Sequence, residues 1–490
     1  MLFNSFEFAV FLPIVFLIYW LCFKNDFRKQ NLFLLLASYF FYGWWDWRLL
    51  FLLIFLSLFN YFVGIKIDAS ITPNHRKSWL ITGLVINLGV LWVFKYFNFF
   101  IEGFVDLVSL FGYDLKGTAI NVILPLGISF YTFLSLSYLL DIHKKSLTAD
   151  KNIIDVLLSL SFFPIILAGP IQRPATLLPQ IKASRIFNYN QAVDGLRQIL
   201  WGLFVKIAVA DNMAHLANDI FLNYSDYAGS TLMIGALYYT IQIYADFSGY
   251  SHIAIGTASL LGFRLMKNFD YPYFARDITQ FWKRWHISLT TWFRDYLFLP
   301  VSFSIAWRIK TKKVLLIKKD LFIYIIASLL TWLLTGLWHG ANYTFLIWGL
   351  LHGLLLIFYR WQIKSRKRIQ KKLKIDNDNI LLSFTESMFT FLFVVITWVI
   401  FRSASVRESM EYIKGMFSPS LFSNPGDLPV IEIALALLFL IVELRQREKD
   451  HALQFDKLNS AWVRWSIYAS LVLIILLFGG GAQQFIYFQF

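Results

Sequence analysis

Two histidines stand in stretches where a polar side chain is costly. They are His286 in FARDITQFWKRWHISLTTWFRDYLFLP, and His339 in LFIYIIASLLTWLLTGLWHGANYTFLIWGLLHG. Other ionisable residues inside apolar runs are Lys95, Lys206, Asp211, Asp246 and His252. In a low-dielectric setting each costs a few kcal/mol unless it is paired or watered, which makes each a candidate for function. Burial holds an imidazole neutral, and a neutral imidazole can take a proton from a hydroxyl and return it with little loss either way. The chemistry on offer is general base catalysis. No HExxH, CxxC, Walker A or GxSxG pattern accompanies these residues, so no metal site is expected.

The neighbours of each candidate refine this. His339 follows Trp338 and precedes Gly340, which removes bulk beside the imidazole. In 274–300 the spacing Trp282, His286, Leu289, Phe293, Leu297 predicts one aromatic helical face, with Lys283, Arg284, Thr290, Thr291, Arg294 and Asp295 elsewhere around the helix. A core histidine with one hydrogen-bond partner accounts for His286 as well as a catalytic one does. His352 lies thirteen residues beyond His339, which on one helix is about 220° of rotation and roughly 20 Å of rise. That spacing sets His352 apart from any pair with His339. For Lys95, Lys206 and Asp211 an interhelical pair or a place near a span end is the plainer account. Asp246 opens DFSGYSHIAIG, whose small residues allow close backbone packing, and a structural polar contact is expected of it too.

These residues must be positioned by a membrane protein. Apolar residues make up 58% of the 490 positions and charged residues 15%, with a mean hydropathy of +0.58; soluble domains carry about 25% charged residues. The apolar runs are continuous rather than alternating, so helices are meant and not a barrel. The fold class expected is an all-α polytopic integral membrane protein with about a dozen crossings, forming one membrane domain over 1–490. The net charge of +15 would suggest nucleic acid in a soluble chain. Here it sits in short loops at 24–29, 66–77, 143–151, 308–319, 360–374 and 445–449, which the positive-inside rule keeps in the cytoplasm. No nucleic-acid partner is therefore expected, and the partner surface is the lipid bilayer. Both termini fall on the extracytoplasmic side. Residues 1–23 lack a positively charged start and a small-residue cleavage site and read as the first span. Cys22, the single cysteine, excludes a disulfide framework and argues against a cysteine nucleophile.

Spans are expected near 6–23, 31–45, 48–65, 79–97, 120–142, 152–169, 191–210, 229–245, 249–263, 321–338, 341–359, 380–401, 429–444 and 462–479. Residues 98–115 carry Glu102 and Asp106 and are expected to dip partway into the membrane. Segment 274–300 is too rich in Arg, Lys and Trp for an ordinary span. It fits an interfacial helix. The Trp338-His339-Gly340 turn falls toward the outer side.

An ordered series of motifs runs through nearly the whole chain. It comprises PLGISFYTFLSLSYLLDIH (125–143), FFPIILAGPIQRP (162–174), GLFVKIAVADNMA (202–214), YADFSGYSHIAIGTASLLGF (244–263), NFDYPYFARDITQFWKRWHISLTTWFRDYLFLP (268–300), LTGLWHG (334–340) and the closing FIYFQF. In these the chain resembles the membrane-bound O-acyltransferase (MBOAT) family, and within it the bacterial branch of alginate O-acetylation. The resemblance implies acyl transfer from a cytoplasmic thioester donor, acetyl-coenzyme A or an acyl carrier protein, to a hydroxyl outside. No bound cofactor is implied. The acceptor would be an extracytoplasmic polysaccharide or peptidoglycan, reached through a separate periplasmic SGNH-type acetyltransferase, and the location the bacterial inner membrane. By the same resemblance His339 is the catalytic residue, acting as base. His286 holds the family's second position, where it would orient the donor or hydrogen-bond the developing oxyanion. Lys283, Arg284 and Arg294 could meet the phosphates of coenzyme A or those of lipids, with Trp285, Trp338 and Asp246 as further donor-side candidates. Alternatives are D-alanyl transfer to teichoic acids, or a transporter or flippase using intramembrane charges.

Overall fold

The structure, a computed structural model, describes residues 1–24, 26–113, 123–314, 316–372, 376, 379–455, 460–479, 481 and 483–486, and of residues 367 and 369 the backbone alone. The described chain is almost wholly helical; its one pair of strands is the short antiparallel Lys313–Val314 and Ile317–Lys318. Among the described residues, seven helices are long and apolar enough to cross a membrane: Trp47–Ala69, Pro73–Ser109, Tyr189–Leu222, Lys319–His339, Tyr343–Lys372, Ile380–Arg402 and Ala461–Phe478. Phe6–Cys22 and Ile153–Ile166 are shorter apolar helices. The protein is an all-α polytopic membrane protein.

Two compact units are distinguished, Met1–Leu200 with Tyr250–Met266, and Trp201–Gly249 with Lys267–Phe490. In the first, helix Ile128–His143 is buried on nearly all sides. Its start is set by Gly127 at φ 73°, where a side-chain carbon would lie 2.2 Å from the Ile166 carbonyl oxygen. Polar pairs hold its apolar helices in register: Asn60 and Asn87 exchange amide hydrogen bonds of 3.0 and 2.8 Å, and Asn31 donates to Asp155 at 2.8 Å.

Several expected elements are corrected. Residues 98–109 do not form a separate re-entrant piece. They continue the preceding helix through a π-turn at Trp92–Tyr96, with Glu102 and Asp106 exposed on one side. The expected span at 152–169 breaks at Phe162, because Pro164 cannot continue a helix. The freed Phe163 N–H donates to Ser38 Oγ at 3.1 Å. The two spans expected at 229–245 and 249–263 are one helix, Gly229–Leu260. Gly249 does not break it but lets the backbone of Lys206 approach, since a side-chain carbon there would stand 2.9 Å from Lys206 N. Of the motifs, the start of the 120–142 span and the last four residues of FIYFQF lie outside the described residues, as do 114–115 and 373–374.

Candidate active site

The site segment begins where the helical expectation fails. Asp277 caps helix Ile278–Arg284, its carboxylate accepting from Gln280 N at 2.9 Å. The helix stops at Trp285, and His286 takes a left-handed conformation (φ 43°, ψ 54°) before a second helix, Ile287–Phe293. The single aromatic face from Trp282 to Leu297 therefore does not exist as one helix. The break is held by bonds from the irregular 268–270 segment: Asp270 N donates to Arg284 O at 2.9 Å and Ile287 N to Asn268 O at 2.8 Å. A left-handed non-glycine residue costs about 1–2 kcal/mol, and these bonds hold it there. His286 is fully enclosed at 0% exposure. Its Nδ1 lies 3.0 Å from Asn268 Oδ1, which also accepts from Ser288 Oγ at 2.8 Å.

His339 ends helix Lys319–His339 and is 4% exposed. Its ring meets Trp338 at 4.9 Å, Trp348 at 5.0 Å and Phe401 at 5.2 Å between centroids. Trp338 in turn lies 5.9 Å from His286. One indole thus neighbours both histidines. The hairpin that carries His339 is closed by glycine. A side-chain carbon at Gly336 would lie 2.3 Å from Phe345 O, one at Gly340 2.2 Å from the Phe345 ring, and one at Gly349 2.3 Å from Trp332 O.

His352 is closer to this cluster than its spacing implied. The turn at 340–342 places it on the next helix, Tyr343–Lys372, so rotation along one helix does not apply. Its ring lies 4.9 Å from Trp348, which itself touches His339. Its chemistry still sets it apart. Trp282 Nε1 donates to His352 Nδ1 at 3.2 Å, and an indole N–H can only donate. His352 Nε2 therefore carries the hydrogen and meets Thr397 Oγ1 at 3.2 Å. Both nitrogens are committed to the packing of three helices.

The remaining candidates separate. Trp285 is 1% exposed and packs on Phe269, Phe281 and Trp398 at 5.1, 5.6 and 5.0 Å. Lys283 is exposed and Arg284 half-buried, while the exposed Arg294 pairs with Asp295 at 2.7 Å. Asp246 lies in a buried ionic triad. Lys206 Nζ is 2.6 Å from Asp246 and 2.7 Å from Asp211, with all three side chains at most 6% exposed. Ile486 N donates to the other Asp246 oxygen at 2.8 Å. The structural contact expected of Asp246 is what is seen.

Some residues escaped the sequence reading. Asn268 and Ser288 lie inside the 268–300 motif but are common polar residues that nothing in it singles out. Glu443, 2% exposed, accepts from Tyr244 Oη at 2.7 and 2.8 Å; its position in the apolar run IEIALALLFLIVE was the missed signal. Gly349 and Gly353 form a small-xxx-small pair that announces the close hairpin. Among the described residues no group of three or more His, Cys, Asp or Glu side chains is arranged to hold a metal ion.

A helical membrane protein with two enclosed histidines about one indole is the class that fold and geometry define. The comparisons make it specific: the membrane-bound O-acyltransferase family model matches residues 34–381, and the chain belongs to that family. It is a membrane-bound O-acyltransferase. It is 38% identical to the "Probable alginate O-acetylase AlgI" of Pseudomonas aeruginosa over 90% of this chain and 80% of that protein. The peptidoglycan O-acetyltransferase of Helicobacter pylori is 30% identical over 100% of this chain and 98% of its own length. The teichoic acid D-alanyltransferase of Bacillus subtilis is 30% identical over 51% of this chain and 62% of its own.

Proposed function

We propose that the protein moves an acetyl group from a cytoplasmic thioester, acetyl-coenzyme A or an acyl carrier protein, for O-acetylation of an extracytoplasmic polysaccharide or peptidoglycan. The observation that carries this is the enclosed His286–Trp338–His339 arrangement, at the end of a glycine-closed hairpin. His339 takes the proton of the attacking hydroxyl as its oxygen forms the new C–O bond. The C–S bond then breaks, and the leaving thiolate takes the proton from the imidazolium. A positioned base of this kind contributes about 10²–10⁴-fold. His286 orients the reacting partners. Lys283, Arg284 and Arg294 receive the donor's phosphates on the cytoplasmic side.

The acetyl reading over D-alanyl transfer is supported by length: the O-acetylating relatives align along most or all of the chain, the D-alanylating ones along 51% and 62% of it. Clusters of Lys and Arg in short loops support an inner-membrane location with both termini extracytoplasmic. A periplasmic SGNH-type transferase completes delivery to the polymer. The test supplies labelled acetyl-coenzyme A to membranes holding the protein and follows label into the surface polymer. His339→Ala, inserted and folded, abolishes transfer; undiminished turnover would overturn the assignment.

A further inference from the structure

We infer that Asn268 is a positioning residue that holds His286 in its Nδ1–H tautomer, so that Nε2 presents a lone pair to the reacting partners. The inference rests on His286 belonging to the acyl-transfer centre proposed above. It begins with the identity of one atom. The Ser288 backbone N–H can only donate, and it faces Asn268 Oδ1 at 3.4 Å, with Ser288 Oγ at 2.8 Å from the same atom. That atom is therefore the amide oxygen rather than the nitrogen. An amide oxygen only accepts. His286 Nδ1, 3.0 Å away, must then carry the hydrogen, and a neutral imidazole has only one.

Asn268 acts twice on the same residue. Its carbonyl oxygen takes the Ile287 N–H at 2.8 Å, fixing the left-handed turn, while its side chain fixes the ring. Phe247 stands edge-on to that ring at 4.6 Å and Trp338 lies at 5.9 Å, and a flipped ring would set Cδ2 rather than Nδ1 against Asn268 and lose the hydrogen bond. Asn268, His286 and Ser288 are each at most 1% exposed, and no bulk water competes for these bonds. The contrast with His352 is direct. There an indole donor imposes the opposite tautomer, with the hydrogen on Nε2.

The consequence is chemical. In this tautomer neutral His286 accepts a hydrogen at Nε2 and has none there to give. It can accept a hydrogen bond from the reacting partners but cannot donate one to a developing oxyanion, and the oxyanion role implied by the family resemblance is set aside.

The test uses the full-length protein with nitrogen-15 histidine in detergent micelles or lipid nanodiscs. The His286 signals are identified by their loss in His286→Gln. Long-range couplings then show which ring nitrogen lacks a hydrogen, since Nε2 couples to both ring C–H groups and Nδ1 to one. The expected result is a lone-pair Nε2 in wild type, kept in Asn268→Asp, which also accepts at this position, and lost or mixed in Asn268→Ala. Turnover of labelled acetyl-coenzyme A falls about 10–100-fold in Asn268→Ala, by analogy with the loss of the partner that orients a metal-bound histidine. The loss appears in kcat rather than KM, and Asn268→Asp restores most of it. A hydrogen on Nε2 in wild type, or wild-type turnover in Asn268→Ala, overturns the inference. Should Asn268→Ala fail to fold, the wild-type tautomer and the Asn268→Asp variant decide. If His286→Gln turns over like wild type while the tautomer is as stated, the functional reading of the centre fails and the tautomer assignment stands.

Discussion

Replacing Gly336 by alanine adds one carbon three residues before His339, and its effect can be worked from the hairpin. The new carbon would lie 2.3 Å from Phe345 O, 3.0 Å from Phe345 C and 3.3 Å from Leu346 Cα, where ordinary contact starts at 3.4 Å. All three are backbone atoms, so no side chain can rotate aside. The helices must part by about 1 Å, since the repulsive wall of the contact is steep. Overpacking of this size costs about 1–3 kcal/mol, and alanine's better helix propensity returns roughly 1 kcal/mol of it. The net loss of stability is small. The loss of function is not: a 1 Å misplacement of a reacting group costs about 10²-fold in rate, and His339 rides on the helix end that must move. Gly336→Ala should therefore insert, run as a single species on size exclusion, unfold within a few degrees of wild type, and transfer labelled acetyl groups about 100-fold more slowly. Gly89→Ala, where an added carbon meets nothing within 4 Å, is the matched control and should be unaffected. Wild-type turnover in Gly336→Ala would refute the reasoning that backbone contact in this hairpin places His339.

The other expectations follow from the buried polar groups. His352→Leu strands the Trp282 N–H and should lower stability by about 1–3 kcal/mol, read as a lower unfolding midpoint in detergent, while the folded fraction keeps its acyl-transfer rate. A folded His352→Leu protein without activity would place His352 in the reaction after all. Lys206→Met leaves Asp211 and Asp246 buried without their cation and should cost about 3–5 kcal/mol, measured as yield of monodisperse protein and unfolding midpoint. Neutralising both carboxylates in the same variant, Asp211→Asn with Asp246→Asn, should recover much of that loss; no recovery would show that the triad is not one coupled unit.

Much of this protein was determined by its sequence alone. Hydropathy acts over some twenty consecutive residues, and so the helices Lys319–His339, Ile380–Arg402, Val430–Gln446 and Ala461–Phe478 fall within two residues or so of where the apolar runs place them. The place of His339 at the end of a helix was legible for the same local reason, an imidazole between Trp338 and Gly340 at the end of an apolar run. The ordered motifs made the family legible too. Tertiary structure decided what depends on atoms far apart in the chain. Helical periodicity carried His286 through a helix that bonds from the 268–270 stretch break. Spacing set His352 apart by rotation along one helix, whereas its partners Trp282 and Thr397, on two other helices, give it a structural place. Lys206, Asp211 and Asp246 become one ionic unit only when their helices pack. A side chain's type is local information. Its tautomer, its ion pair and the group it faces are set by neighbours that only folding brings within 3 Å.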